Sequence, residues 1–444
     1  MKLNTKLTVL IGFAFLSISA FWQMYDNLIP LILTKTFSMN ETVSGVIMAA
    51  DNILALFLLP LFGGISDRSN AKMGKRKPFI LFGTVGAVIL MSALPIIDNS
   101  YFAAPTLWKL IAFIGILGLL LITMGTYRSP AVALMPDVTP KPLRSKGNAI
   151  INLMGAVGGI LYLIFNSILY SKSRTEGLSH INYQPIFAIV SGIMLIALFV
   201  LIFFVNEPKL REKQAIYEKD HPELEVAVET EDGKKKMPKE VKKSLIFLLL
   251  SVAFWYIGYN AITTWFSVYA TTMWGMAPGG ASLCLTIAMA GAIVSYIPVG
   301  NIASKIGRNI TIKAGAALLA LCFFTAFLYT LVFDTFHWAL YILFVLVGIA
   351  WAAINVNSLP MVVEMCSGSE VGKFTGFYYT FSMAAQTVTP VVAGFLLSNV
   401  SYKALFPYAA IFVAFSFVTM CFVKHGDSKP EKKASVLENF DMED

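Results

Sequence analysis

Two aspartates and one arginine stand where a chain this apolar has little room for charge. Asp26, Asp51 and Arg128 each lie inside long apolar runs. A charged side chain at the centre of a membrane helix costs roughly 2.5–3.5 kcal/mol on insertion scales, so each needs a partner or a water-filled cavity. A guanidinium keeps its proton at any useful pH, whereas desolvation tunes a carboxyl toward neutrality. The three therefore read as an ion-paired relay, in which a proton arriving on Asp26 or Asp51 releases Arg128. A static buried pair is the plainer alternative.

Asp26 has company. Gln23, Asp26, Asn27 and Pro30 recur at i, i+3, i+4 and i+7, so they share one helical face, with Trp22 and Tyr25 on its flanks. Tyr256, Tyr259, Asn260 and Thr263 form a similar stripe, with Trp255 and Trp265 nearby. Amides and carboxylates suit sugar hydroxyls, and aromatic faces suit the C–H side of a sugar ring. Tyr127, Asn152, Asn355, Asn357 and Gln386 are further candidates at membrane depth. Interfacial or packing roles compete for each aromatic taken singly.

The elements that must hold these residues follow from composition. The 444 residues are 57% hydrophobic and 14% charged, with mean hydropathy +0.70. Soluble domains carry about 25% charged residues. A disordered chain, a collagen-like chain and a disulfide scaffold are excluded. About 20 apolar residues cross the hydrocarbon core. Runs of that length occupy 7–33, 42–65, 78–97, 106–135, 148–170 and 185–205, then 244–270, 281–303, 311–333, 336–362, 372–397 and 404–424. The reading is an all-α polytopic membrane protein with twelve transmembrane helices in two six-helix halves. The amino end looks like a signal peptide but continues to Leu33 with no A-x-A site, so it reads as the first span. Pro30, Pro60, Pro130, Pro298, Pro360 and Pro390 fall inside the runs, where neighbouring helices re-satisfy freed backbone groups.

Charge sets the orientation. With the amino terminus inside, 28 of the 34 Lys and Arg fall on the inner side, five fall outside, and Arg128 lies within the membrane. Both termini are then cytoplasmic, in the cell membrane. The net charge of +8 is topogenic and implies no nucleic-acid partner; the bilayer is the partner. The domains read as 1–205, an amino-terminal six-helix bundle; 206–243, a charged cytoplasmic linker; 244–424, a carboxy-terminal bundle; and 425–444, a disordered cytoplasmic tail. The linker holds ten basic and ten acidic residues and includes Lys234-Lys235-Lys236, a solvated spacer or a segment lying on anionic headgroups. The four cysteines, Cys284, Cys322, Cys366 and Cys421, show no C-x-x-C spacing, so no zinc site or disulfide framework is indicated. Ser38-Met-Asn-Glu41 fits a capping box opening the second helix. Asn40-Glu-Thr42 and Asn399-Val-Ser401 match the glycosylation pattern by chance.

The halves repeat. Gly63-Gly-Ile-Ser-Asp67-Arg68 and Gly74-Lys75-Arg76 follow the second run; Gly300-Asn-Ile-Ala-Ser304-Lys305-Ile-Gly307-Arg308 follows the eighth. Basic turns alone follow from the positive-inside rule, but the matching glycines point to duplication. Helices 1 and 7 of such a repeat are equivalent, so their two polar-aromatic faces are expected to line one central cavity. Gly63 and Gly64 would permit close helix approach. Asp67 would sit near a helix amino end, where the dipole favours a carboxylate, and Arg68 would pair with Asp137.

This pattern resembles the signature loop of the major facilitator superfamily. The five residues Ser69 to Met73, the stretch Gly74-Lys-Arg-Lys-Pro-Phe-Ile80, and Arg128-Ser-Pro-Ala-Val-Ala-Leu-Met-Pro-Asp137 are similar to the proton-coupled sucrose-transporter branch. More distantly the chain resembles the glycoside–pentoside–hexuronide:cation symporters. The resemblance implies that Gly63, Asp67, Arg68 and Asp137 form a cytoplasmic gate that latches the halves in the outward-open state. It also implies a monomer working by alternating access. Where the melibiose-type carriers use carboxylates for sodium, this chain has Ala55, Leu59 and Arg128, which makes a proton the better coupling ion.

The function expected is therefore secondary transport of a sugar, a disaccharide or glycoside rather than a monosaccharide, by proton symport. The assigned substrate-binding residues are Trp22, Gln23, Tyr25, Asp26, Asn27, Tyr127, Arg128, Asn152, Tyr256, Tyr259, Asn260, Asn355, Asn357 and Gln386. Asp26, Asp51 and Arg128 are assigned to coupling. The alternative on the same fold is a drug–proton antiporter or a non-transporting membrane sensor. No cofactor or metal is expected. An enzyme is disfavoured because His180, His221, His337 and His425 lie in loops or at helix ends and no H-E-x-x-H occurs.

Overall fold

The computed structural model describes residues 4–140, 143–220, 238–365 and 371–427. The described residues are helical throughout: α1 Thr5–Lys35, α2 Glu41–Asp67, α3 Lys77–Ala103, α4 Leu107–Val138, α5 Arg144–Leu169, the single turn α6 Lys172–Thr175, and α7 Gln184–Phe204. They continue with α8 Glu207–Asp220, α9 Lys239–Met273, α10 Pro278–Ile306, α11 Arg308–Val332, α12 Leu340–Glu364, α13 Val371–Asn399 and α14 Leu405–Cys421. Twelve of these helices are long and apolar enough to span a membrane, and they coincide with the twelve apolar runs.

The differences have physical causes. The apolar run ends at 97, yet α3 continues to Ala103. Asp98 is fully buried, so its polarity marks a packed site and not a helix end. Ser38 does not cap α2. Asn40 does, its Oδ1 accepting from the Val43 N–H at 2.9 Å, while Ser38 takes a left-handed φ of 51°. The charged segment 206–243 contributes α8 and the first residues of α9. Residues 221–237, with His221 and Lys234 to Lys236, lie outside the described residues, as do Cys366 and 428–444.

The chain forms two compact units. Unit 1 comprises 1–39, 50–225 and 277–283; unit 2 comprises 40–49, 226–276 and 284–444. Within unit 1, α1 packs on α5 and α7, and α3 packs on α4 and α7. Within unit 2, α9 packs on α13 and α14, and α11 packs on α12 and α14. These pairings correspond one for one, so the repeat seen at the signature turns runs through the packing.

Burial differs sharply between helices. In α1, 61% of the spanning window is buried, against 17% in α2. The buried aromatics Phe21, Tyr25, Tyr127 and Tyr162 fill unit 1, and Trp255, Trp265, Phe266 and Tyr269 fill unit 2. Large apolar side chains such as Phe57, Phe82, Val294 and Val332 stay exposed, as lipid contact allows.

Candidate functional site

In unit 1 the three intramembrane charges come together. Asp26 on α1 lies within electrostatic reach of Asp51 on α2 and Arg128 on α4. The expected ion pair, however, is not what the guanidinium makes. Arg128 Cζ sits 5.6 Å from the centre of the Trp22 ring, a cation–π contact, and no ion pair of Arg128 occurs among the described residues. Asp51 Oδ1 instead accepts from Asn52 Nδ2 at 2.8 Å. Trp22 and Asp26 are one turn apart on α1, which places the ring and the carboxyl on the same side of the helix.

Most of the other candidates in unit 1 are buried. Tyr127 is 1% exposed; its hydroxyl meets Ser17 Oγ and donates to the Ala14 carbonyl at 3.0 Å, bracing α4 on α1. Tyr25 is buried to the same degree. Asn27, also buried, donates to the Gln23 carbonyl at 2.7 Å, one turn back in its own helix. Asn152 is buried in α5. Gln23 remains half-buried beside Asp26.

In unit 2 the aromatics form a plate. Tyr259 on α9 stacks on Trp351 of α12, with centroids 3.7 Å apart and planes 6° apart. Tyr256 meets the same indole edge-on at 5.6 Å, and Tyr378 of α13 lies 6.5 Å from Tyr256. The Tyr378 hydroxyl pairs with Ser358 Oγ at 2.9 Å. Asn260 Nδ2 donates to the main-chain carbonyl of Gln386 at 3.4 Å and Thr263 Oγ1 to the main-chain carbonyl of Asn260 at 3.2 Å, while the Gln386 amide donates to the Ser382 carbonyl one turn back at 3.3 Å. Asn355 is half-buried, whereas Asn357 is buried and donates to the Ala353 carbonyl at 2.9 Å. Trp255 and Trp265 are core residues, Trp265 Nε1 donating to the Pro390 carbonyl at 3.1 Å. Sequence reading missed Trp351, although Trp351, Asn355 and Ser358 recur at i, i+4 and i+7 on α12.

The signature turn of unit 1 corrects the expected pairing. Arg76, not Arg68, holds Asp137, its Nε 2.8 Å from Oδ2, while Nη2 reaches Asp67 Oδ1 at 2.5 Å. The Arg76 guanidinium also contacts Ser66 Oγ. Arg68 is exposed. Asp67 closes α2 and Asp137 lies one residue from the end of α4, so both carboxylates face the unfavourable pole of a helix and one buried guanidinium compensates them. Burial would lower the affinity of Arg76 for its proton, but Asp137 and Asp67 outweigh it and hold the pKa above the ordinary value.

The carboxylate at a helix amino end is Glu207, the first residue of α8. It accepts from the Lys75 N–H at 2.7 Å, from Arg76 at 3.0 Å and from Lys77 at 3.1 Å, where α3 begins. Gly74, at φ +115°, has no room for a Cβ, which would stand 2.2 Å from Glu207 Oε2. Gly63 meets Ser129 on α4 as a close approach requires, but Gly64 faces open space.

Unit 2 repeats the device with fewer parts. Gly307 has φ +98°, Asp427 Oδ1 accepts from the Asn309 N–H at 3.2 Å, and Arg308 pairs with Glu364 at 2.5 Å.

The family model of the Major Facilitator Superfamily matches residues 11–335 and 270–440. The chain belongs to the major facilitator superfamily. It is therefore a multi-pass membrane transporter and not an enzyme. Relatives align at modest identity. Sucrose transport protein SUC3 of Arabidopsis thaliana is 30% identical over 155 residues, 32% of this chain and 25% of that protein. Protein YqgE of Bacillus subtilis is 27% identical over 43% of this chain, and the chain spans only 44% of its length. Multidrug resistance protein MdtG of Enterobacter lignolyticus is 20% identical over 92% of this chain and 88% of that protein. The inward-open structure of the xylose transporter XylE from E. coli shares the fold, with TM-score 0.67 at 14% identity over 98% of each chain.

Proposed function

We propose that this facilitator carries a sugar, a disaccharide or glycoside in preference to a monosaccharide, across the cell membrane in symport with a proton. The observation that carries the reading is the Tyr259–Trp351 stack, with Asn260 and Thr263 following Tyr259 on α9. A ring plate with polar side chains on the same helix is the surface a pyranose needs. The chain's likeness to the sucrose transport protein supports that choice of substrate.

Proton coupling is assigned to Asp26, Asp51 and Arg128. A carboxyl that gains a proton loses its pull on a neighbouring guanidinium, which changes the balance between conformations. One positive charge moving inward gains about 2.3 kcal/mol per 100 mV, enough for useful accumulation. Asp67, Arg76 and Asp137 serve as the cytoplasmic gate element of unit 1. The carrier works as a monomer, with both termini in the cytoplasm.

The test is a proteoliposome uptake panel of disaccharides and monosaccharides, driven by an imposed pH or sodium gradient. Uptake of a disaccharide driven by the pH gradient is expected; uptake indifferent to it would remove the proton. The second reading, a drug–proton antiporter, is favoured by the full-length likeness to the multidrug resistance protein. Thermal stabilisation by lipophilic cations and by no sugar would select it.

A further inference from the structure

The proposed relay needs somewhere for Arg128 to go when it leaves a carboxylate, and the structure shows Arg128 already there. Its guanidinium lies over the Trp22 indole and makes no ion pair among the described residues. The indole is itself held. Phe21 meets it edge-on at 5.1 Å and Tyr25 at 5.5 Å, so the face beneath Arg128 cannot swing away without repacking α1. Its Nε1 is buried and finds no hydrogen-bond partner. Trp22 therefore offers a fixed, electron-rich face to a cation.

Resting on the proton-coupling reading above, we infer that Trp22 is a positioning residue: the second seat of Arg128 in a two-position switch. In one position Arg128 pairs with Asp26 or Asp51; in the other it stacks on Trp22 and leaves the carboxyls free to hold a proton. The N–H edge of the stacked guanidinium then becomes a donor for substrate hydroxyls. Proton binding then favours sugar binding, and by linkage sugar binding favours the proton equally, which is the coupling a symporter needs. The titratable or charged groups around Asp26 are Tyr25 on α1, Asp51 on α2, Arg128 on α4 and Tyr162 on α5. Arg128 alone among them is a cation, so its position governs the carboxyls.

The test is a carboxyl-stretch infrared titration of the purified full-length protein without substrate, the band being assigned by its loss in Asp26→Asn and Asp51→Asn. Trp22→Leu removes the seat and returns Arg128 to the carboxylates, so the band is expected to titrate lower by about half a pH unit to one and a half units. Trp22→Tyr and Trp22→Phe keep a ring face and should shift it less, Tyr less than Phe. They carry the test if Trp22→Leu does not fold. A midpoint unchanged or raised in Trp22→Leu, or no ordering in the ring series, overturns the seat. Uptake by the wild type that ignores a pH gradient would instead overturn the coupling reading, and the infrared titration would still decide the seat. The pH midpoint of uptake should follow the infrared midpoint in each variant.

Discussion

Helices α1 and α9 occupy the same place in the two units, and the chemistry they carry is different. In unit 1, α1 presents Trp22 and Asp26 to an arginine on α4. In unit 2, α9 presents Tyr256 and Tyr259 to a tryptophan on α12. Since α4 and α12 are also equivalent, Arg128 and Trp351 stand on corresponding helices of one repeated scaffold. On the proposed function, a duplicated scaffold carries two tasks, with the membrane-embedded charges in one half and the stacked Tyr259–Trp351 pair in the other. The signature turns show the same drift on a smaller scale. Among the described residues, one arginine serves two carboxylates in unit 1 and one carboxylate in unit 2.

The largest test of this division is Asp26→Asn. Proton-driven accumulation should fall at least about tenfold, the equivalent of losing about 1.4 kcal/mol of coupling. Accumulation at the wild-type level would place coupling elsewhere. Trp351→Ala should weaken sugar binding about tenfold in a calorimetric titration, from the loss of one stacked ring face and its buried area, and Trp351→Phe should recover part of it. If Trp351→Ala moved the pH dependence and left affinity alone, the two units would have exchanged roles.

The corners come next. Arg76→Ala leaves two carboxylates at helix carboxy-terminal ends with their cation gone. A stability loss of about 2–3 kcal/mol is expected, below the usual figure for a buried pair because Asp67 is more than half exposed. Arg308→Ala, with one partner, should cost about half as much in the same chemical-denaturation assay. Equal losses would show that the second carboxylate in unit 1 adds nothing.

The smallest effect concerns His180, whose ring stacks on Phe102 at 4.4 Å. Burial lowers its pKa. Nε2 lies 3.5 Å from Asp98, longer than a hydrogen bond, and burial prevails. The unfolded chain then takes up a proton near the ordinary value of about 6.5 while the folded one resists, so stability falls as pH drops below that value. His180→Gln should flatten this part of the stability–pH curve by less than about 1 kcal/mol. An unchanged slope would mean the imidazole titrates normally.

Much of this was legible from residue type and spacing. Twelve runs gave twelve spans because hydrocarbon thickness dictates length. Asp26, Asp51 and Arg128 stood out because charge is costly at that depth. Spacing was silent on partners across helices: nothing local told Arg76 from Arg68, although only Arg76 opens α3 and reaches both helix ends. Glu207 lay in a stretch that read as linker, and its role emerges only where the chain returns to the amide nest at 75–77. Tyr127 read like Tyr259, a tyrosine in a polar-aromatic stretch, but α1 buries the first and a second ring meets the other.

The central question is whether a proton drives a sugar across the membrane. In proteoliposomes holding the purified chain, an inward pH gradient should drive disaccharide accumulation that a protonophore collapses and a sodium gradient cannot replace. Accumulation that survives the protonophore, or that occurs only with lipophilic cations moving against the proton, would contradict it.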